Sequence, residues 1–229
     1  LVPPARAAAK EPTRSASGRG GFGGWPVEAL DFFEELEVEN TKAFWVAHKD
    51  VYEAKVLAPM VALLSELAPE FGEGRVFRPY RDVRFSRDKS PYKTNIAAHN
   101  DAGYISLSAG ALGVGTGLYM PSADQLARFR AAVAHDRTGT ELVRLVEALR
   151  KKGIVVSAHE VLKTAPRGYP ADHPRIELLR HKGLSAWMEW PVGAWLGTGA
   201  AKKRIIEVLR ASAPLRRWVD ANVGVAEGT

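Results

Sequence analysis

Cysteine is absent from all 229 residues, so disulfides, thiolate nucleophiles and cysteine-ligated zinc or iron–sulfur centres are excluded in any redox compartment. Long apolar runs are missing too. No stretch approaches the roughly 18 apolar residues that a membrane span needs, and none near the first residues has the form of a signal peptide. A cytoplasmic location with no membrane partner is the expectation. The chain opens on Leu1 rather than Met, which leaves its processing open. The short motifs of common enzyme classes are also lacking: there is no G-x-S-x-G, no G-x-x-x-x-G-K-[ST] and no H-E-x-x-H. His159-Glu160 is followed by Val161, Leu162 and Lys163, and Gly113, Gly115 and Gly117 lead on to Met120 rather than to a further glycine. His48, His99, His135, His159, His173 and His181 show no i,i+2 or i,i+4 pairing, so no metal site and no cofactor is expected.

What is present is a local concentration of charge. The net charge is +6, of which residues 1–24 supply +3 (four cations against Glu11) and residues 78–93 supply +4 (six cations against Asp82 and Asp88). Everything else sums to −1. A uniformly basic surface would point to nucleic acid or an anionic membrane, whereas a compact cluster favours a small anionic ligand and leaves nucleic acid the less favoured partner. At 46% hydrophobic residues, the chain is long enough for one well-packed domain of roughly 200 residues. Residues 1–24, rich in Ala, Pro, Ser, Gly and Arg and ending in Gly20-Gly21-Phe22-Gly23-Gly24, cannot offset their ordering entropy and read as a disordered tail ahead of one domain, 25–229.

The pattern along that domain predicts a helix over 27–37 with Leu30, Phe33 and Leu36 on one face and an acidic opposite face. A second helix follows, with Asn40 as N-cap and Phe44, Trp45, His48, Val51 and Tyr52 on its apolar side; His48 there reads as a hydrogen-bonded core histidine. Pro59 kinks it or starts the next helix, Met60–Phe71, which Gly72 stops. From Val76 the period changes to two, with Phe77, Val83 and Phe85 on one parity and Arg78, Tyr80, Asp82 and Arg84 on the other, the pattern of a strand that Pro79 confines to an edge or a bulge. Further strands are predicted over 104–108, 112–120, 154–156, 161–163 and 184–190. Further helices are predicted over 122–134, 140–152, 176–180, 201–211 and 215–223. Because helices and hairpin-type strands are segregated, the fold class expected is α+β, with an antiparallel or mixed sheet packed with several helices in a single domain.

The chemistry points to anion recognition by the segment Arg78-Pro-Tyr-Arg-Asp-Val-Arg-Phe-Ser-Arg-Asp-Lys-Ser-Pro-Tyr-Lys93. Guanidinium forks match phosphate or carboxylate, and an interleaved aspartate fixes an arginine rotamer in advance. Arg78, Arg81 and Arg84 are the clamps in this reading, Asp82 and Asp88 orienting partners, and Lys89, Tyr92 and Lys93 contacts from a loop after the strand. Lys163, Arg167 and His173 form a second basic loop that could assist. His99 and Tyr92 are the candidates for proton transfer. The competing readings are a nucleic-acid or protein-interaction module that uses the tail, the cluster and a basic C-terminal face, and an ion-pair scaffold that holds an exposed sheet face to a neighbouring acidic helix. Lys202, Lys203, Arg204, Arg210, Arg216 and Arg217 form a basic C-terminal helical face, which would bring nucleic acid back if it were continuous with the cluster.

The run Arg78-x-x-Arg81-Asp82-x-Arg84-Phe85-x-x-Asp88-Lys89-x-x-Tyr92 resembles the signature of a bacterial family, domain-of-unknown-function family 2461. The resemblance extends from about Trp25 to Val223 through Tyr104-Ile-Ser-Leu-Ser, Gly117-Leu-Tyr-Met-Pro, Ala165-Pro-Arg-Gly-Tyr-Pro-Ala-Asp-His-Pro and Leu179-Arg-His-Lys. The sequence departs from the family pattern at Asn95, where His is frequent, and at Arg167, where Lys is common. The first departure weighs against any mechanism that needs a histidine at 95. The resemblance implies an α+β fold and a site in the basic run, and it implies no particular reaction, substrate or oligomeric state.

Overall fold

The computed structural model describes residues 21–84 and 86–226. Its architecture is α+β: a six-stranded antiparallel open sheet, in the order β1-β2-β3-β4-β6-β5, accompanied by helices. The strands are β1 (Arg75–Val76), β2 (Asn95–Asn100), β3 (Gly103–Ser108), β4 (Ala111–Leu118), β5 (Val155–Ser157) and β6 (Leu184–Pro191). The chain divides into two compact units, one made of residues 21–114 with Glu189–Glu207 and the other of Gly115–Met188 with residues 208–226. Among the described residues no helix is long and apolar enough to cross a membrane.

In the first unit, α1 (Glu28–Val38) buries Ala29, Phe32, Phe33 and Leu36. Each large side chain of this set stabilises the fold by about 1.5–3 kcal/mol through area removed from water. The second helix differs from expectation. It is broken into α2 (Lys42–Ala47), α3 (Lys49–Val51) and a wide π-type segment (Tyr52–Leu57) before α4 (Ala58–Phe71). Its N-cap is Thr41, whose hydroxyl accepts from the Phe44 amide, because Asn40 is engaged elsewhere. His48 does bond to the Phe44 carbonyl at 2.9 Å and stacks on the Phe44 ring, but it lies partly exposed at the end of α2. Pro59 sits in the first turn of α4, where its missing N–H is harmless, and Gly72 ends the helix at φ +79°.

β2 and β3 form a hairpin in full register from Asn95↔Ser108 to Asn100↔Gly103. Its turn is held by the Asn100 side chain, which accepts from the Ala102 and Gly103 amides. Ile96, Ala98, Ile105 and Leu107 are buried on one face of this pair. The other face carries Asn95, His99, Tyr104, Ser106 and Ser108, all at least partly exposed. Gly24, at φ +109°, lies so close to the Gly197–Thr198 backbone that a Cβ would come within 2.3 Å of it. Phe22 is buried against Trp25, with ring centroids 4.9 Å apart. The expected tail thus includes described residues only at Gly21–Gly24, and its first twenty residues lie outside the described ones.

In the second unit, α5 (Ala123–Ala134) opens on a complete capping box between Ser122 and Gln125. After His135 comes α6 (Asp136–Lys151), followed by Gly153 at φ +77°. Arginines here saturate backbone carbonyls. Arg175 donates to the Val133 and Ala134 carbonyls at the end of α5, Arg128 to Val223 and Val225, and Arg180 to Leu162. The expected strand at 161–163 is a single bridge, Val161↔His181, and α7 is limited to Ile176–Leu179. The two expected C-terminal helices are one, α8 (Ala200–Asn222), which runs through Pro214. Val208, Leu209, Leu215 and Trp218 are buried on either side of the proline, and that burial outweighs the lost backbone hydrogen bond.

Candidate functional site

The basic segment is a loop and not the strand that its alternation suggested. β1 ends at Val76, and only the Phe77 amide continues the ladder, to the Ala97 carbonyl at 2.8 Å. The chain then pairs with itself. Lys93 N–H donates to the Pro79 carbonyl at 2.8 Å and Arg81 N–H to the Pro91 carbonyl at 2.9 Å, around a Tyr80↔Tyr92 bridge. Pro79 and Pro91 are acceptors only, so each fits this stem without leaving a donor unmade.

Tyr92 anchors the stem. Its ring is 4% exposed and stacks on Trp45 at 4.3 Å and 6°, and burial raises its hydroxyl pKa. Asn40 holds its backbone from both sides: the carboxamide donates to the Tyr92 carbonyl at 3.0 Å and accepts from the Tyr92 amide at 3.0 Å. With one partner a donor and the other an acceptor, the amide orientation is fixed by the contacts themselves. Tyr92 is therefore buried and anchored at the loop base.

Beyond the stem, the charges largely satisfy one another. Arg84 grips Asp82 in a two-pronged pair, Nε to Oδ1 at 3.0 Å and Nη2 to Oδ2 at 2.8 Å, which raises the Arg84 pKa. Arg81 pairs with Asp88. The Asp88 carboxyl is held down to about 2, by the Ser90 hydroxyl and amide first and by Arg81 after them. Lys89 donates to the Val83 carbonyl at 3.0 Å. These pairs lie within the loop itself. Of the exposed acids on α1, Glu28 pairs with Lys55 and Glu35 lies 3.9 Å from His48.

Two of the expected contacts stand apart. The Lys93 ammonium donates to the Arg78 carbonyl at 2.9 Å and lies 5.7 Å from the centre of the Phe77 ring. Burial, and then the charge of Arg78, lower its pKa. Among the described residues neither Arg78 nor Lys93 has a carboxylate partner. Arg87, which anion reasoning had passed over, is also exposed and without an ion pair among the described residues. His99 lies on β2, exposed, its ring 5.2 Å from Phe77 and opposite Tyr104 in the ladder. Asn95, at the position where the resemblance leads one to look for histidine, donates to the Ser106 hydroxyl at 2.8 Å.

Lys163, Arg167 and His173 belong to the other unit. Lys163 and Arg167 are exposed on their loop. His173 is occupied locally, its Nδ1 accepting from the Arg175 amide at 3.0 Å. Among the described residues no group of three or more His, Asp or Glu side chains is placed to hold a metal ion.

Fold and loop together define an α+β protein with a self-paired basic hairpin set on the edge of its sheet. The chain belongs to the family described as "Conserved hypothetical protein (DUF2461)", whose model matches residues 28–218 and so spans the whole basic loop. A search of curated proteins finds no match.

Proposed function

We propose that the protein binds a small phosphorylated or carboxylated anion where Arg78 and Lys93 meet at the base of the basic loop. The observation that carries this reading is a pair of neighbouring cations, one of them half-buried, with no carboxylate on either among the described residues. Like charges held together disfavour each other's charged forms, and an anion placed between them removes that penalty. The Arg81–Asp88 and Arg84–Asp82 pairs position the loop rather than contact the ligand. The Phe77 ring lies beside Lys93, and His99 lies beside Phe77. No reaction is assigned to the site.

Thermal unfolding with inorganic phosphate, at ionic strength held constant with sodium chloride, tests the proposal. A ligand present at a hundred times its Kd stabilises by about 2.7 kcal/mol, a readily measured rise in Tm. Arg78→Ala should abolish that rise while leaving the ligand-free Tm in place, since Arg78 is exposed and unpaired. Lys93→Met should abolish it too, without loss of ligand-free stability. A lysine whose folded pKa lies below its unfolded value destabilises the fold at all pH values below the folded pKa, and the penalty fades as pH rises toward 10.5. Removing the charge therefore removes a penalty. An equal rise in the Arg78→Ala variant, or none in the wild type, refutes the site. Steeply salt-dependent binding of a DNA oligonucleotide in place of phosphate would convert the reading to a nucleic-acid interface.

A further inference from the structure

We propose that Trp190, Trp195 and Arg204 form a second recognition site, separate from the basic loop, for a carboxylate carried on a flat apolar body. All three belong to the unit that contains residues 21–114. Trp190 is near the end of β6, Arg204 is on the first turns of α8, and Trp195 is on a single 3-10 turn, Ala194–Gly197, between them.

That turn is fixed with some care. Leu196 is 1% exposed, and its carbonyl accepts from the Trp25 amide at 3.0 Å. The Gly24 backbone approaches Gly197 so closely that no side chain fits at 24. Gly193 gives way to the Trp195 ring, which a Cβ at 193 would meet at 3.2 Å. Yet Trp195, on this rigid mount, and Trp190, near the end of β6, are left partly exposed instead of joining the core. Their centroids are 6.4 Å apart, and the Arg204 guanidinium lies over both rings, 4.4 Å from the centre of Trp195 and 5.7 Å from that of Trp190. Two cation–π contacts hold the arginine in one orientation ahead of any ligand.

The three side chains carry hydrogen-bond donors and no acceptor. Several such donors in the protein are satisfied from within: Trp25 donates to the Val56 carbonyl and Trp218 to that of Thr138, while Arg128, Arg175 and Arg180 serve backbone carbonyls. At this cluster, among the described residues, neither indole N–H has a hydrogen bond and Arg204 has neither a hydrogen bond nor an ion pair, although Glu189 and Glu207 are near in sequence. A guanidinium lying over indole rings offers its donors along its own plane. A planar carboxylate meets that edge with two oxygens, and the flat body behind it can lie along the exposed indole surface. A tetrahedral phosphate fits only the first half of that description.

The test follows the indole N–H signals of Trp190 and Trp195 by NMR during titration of the full-length protein with benzoate. A saturable shift of both signals is expected, with affinity falling about tenfold or more in Arg204→Met, and falling also in Arg204→Lys, which keeps the charge and loses the planar fork. Benzamide, uncharged but of the same shape, should bind about tenfold more weakly or less. Arg78→Ala should leave the titration unchanged, which separates this site from the basic loop. No saturable shift, a benzoate affinity in the Arg204 variants equal to that of the wild type, or tighter binding of phenylphosphonate than of benzoate overturns the assignment.

Discussion

Replacing Asn40 with alanine removes both side-chain bonds that fix the Tyr92 backbone, at 3.0 Å each. The Tyr92 amide and carbonyl sit at a part-buried position in the loop stem. Each backbone group left unmade costs about 1–3 kcal/mol when buried. Partial burial here argues for the lower end of that range, so the pair should cost about 2 kcal/mol in total. For a chain of this size such a loss lowers Tm by roughly 2–4 °C for each kcal/mol. Urea unfolding, followed by circular dichroism at fixed pH, reads the global term, and hydrogen exchange at the Tyr92 and Lys93 amides reads the local one. Asn40→Asp is the sharper companion. It keeps the acceptor for the Tyr92 amide but sets a carboxylate oxygen against the Tyr92 carbonyl, so it should be no better than alanine. A loss below about 0.5 kcal/mol in Asn40→Ala, with unchanged exchange at Tyr92, would show that the ring stack alone holds the loop and that the bonds are incidental.

Asp88, held down to about 2 against an ordinary 3.8, contributes stability above the higher value and loses it as pH falls through the lower one. Asp88→Asn should therefore lower Tm at pH 5 and converge with the wild type near pH 2, as scanning calorimetry across that range would show; a constant gap would remove the charge of the carboxylate from the account. Gly24→Ala forces a Cβ to within 2.3 Å of the Gly197 and Thr198 backbone at φ +109°, and strain of both kinds predicts a loss of about 2–4 kcal/mol in urea unfolding. An alanine variant of wild-type stability would mean that the 194–197 turn is free to shift, and would weaken its role as the mount for Trp195.

Elements governed by their own neighbours were legible in the sequence. The stop at Gly72 acts within one helical turn and is found where the pattern placed it, and Pro59 falls in a first turn, one of the two roles the pattern allowed it. Contacts across many residues were not. Asn40 has the chemistry of an N-cap, but Thr41 shares it, and only the fold decides that Thr41 caps while Asn40 reaches Tyr92, 52 positions away. β2, reading Asn-Ile-Ala-Ala-His-Asn, offers a single β-branched residue, and it is a strand because β1 and β3 pair with it on either side. The alternation over 76–84 misled for a related reason. A loop that pairs with itself places Tyr80 opposite Tyr92 and needs no neighbouring strand, so a two-residue period records the stem and not a sheet face. Trp190, Trp195 and Arg204 come from a strand, a turn and a helix, and no spacing rule joins them.

The basic loop had looked like a uniform array of clamps, and its pairing pattern sorts it into two kinds of cation. Arg81 and Arg84 carry the partners that an exposed loop needs to keep a shape, and such exposed pairs stabilise weakly, so their value is in geometry. Arg78 and Lys93 have no carboxylate partner among the described residues, and Lys93, half-buried beside a like charge, is held by the Arg78 carbonyl and the Phe77 ring alone. Arg204 over its two indoles is likewise a cation held in place without a carboxylate partner among the described residues. If binding assays find neither site occupied, a positioned cation without a carboxylate partner fails as a guide to binding in this protein.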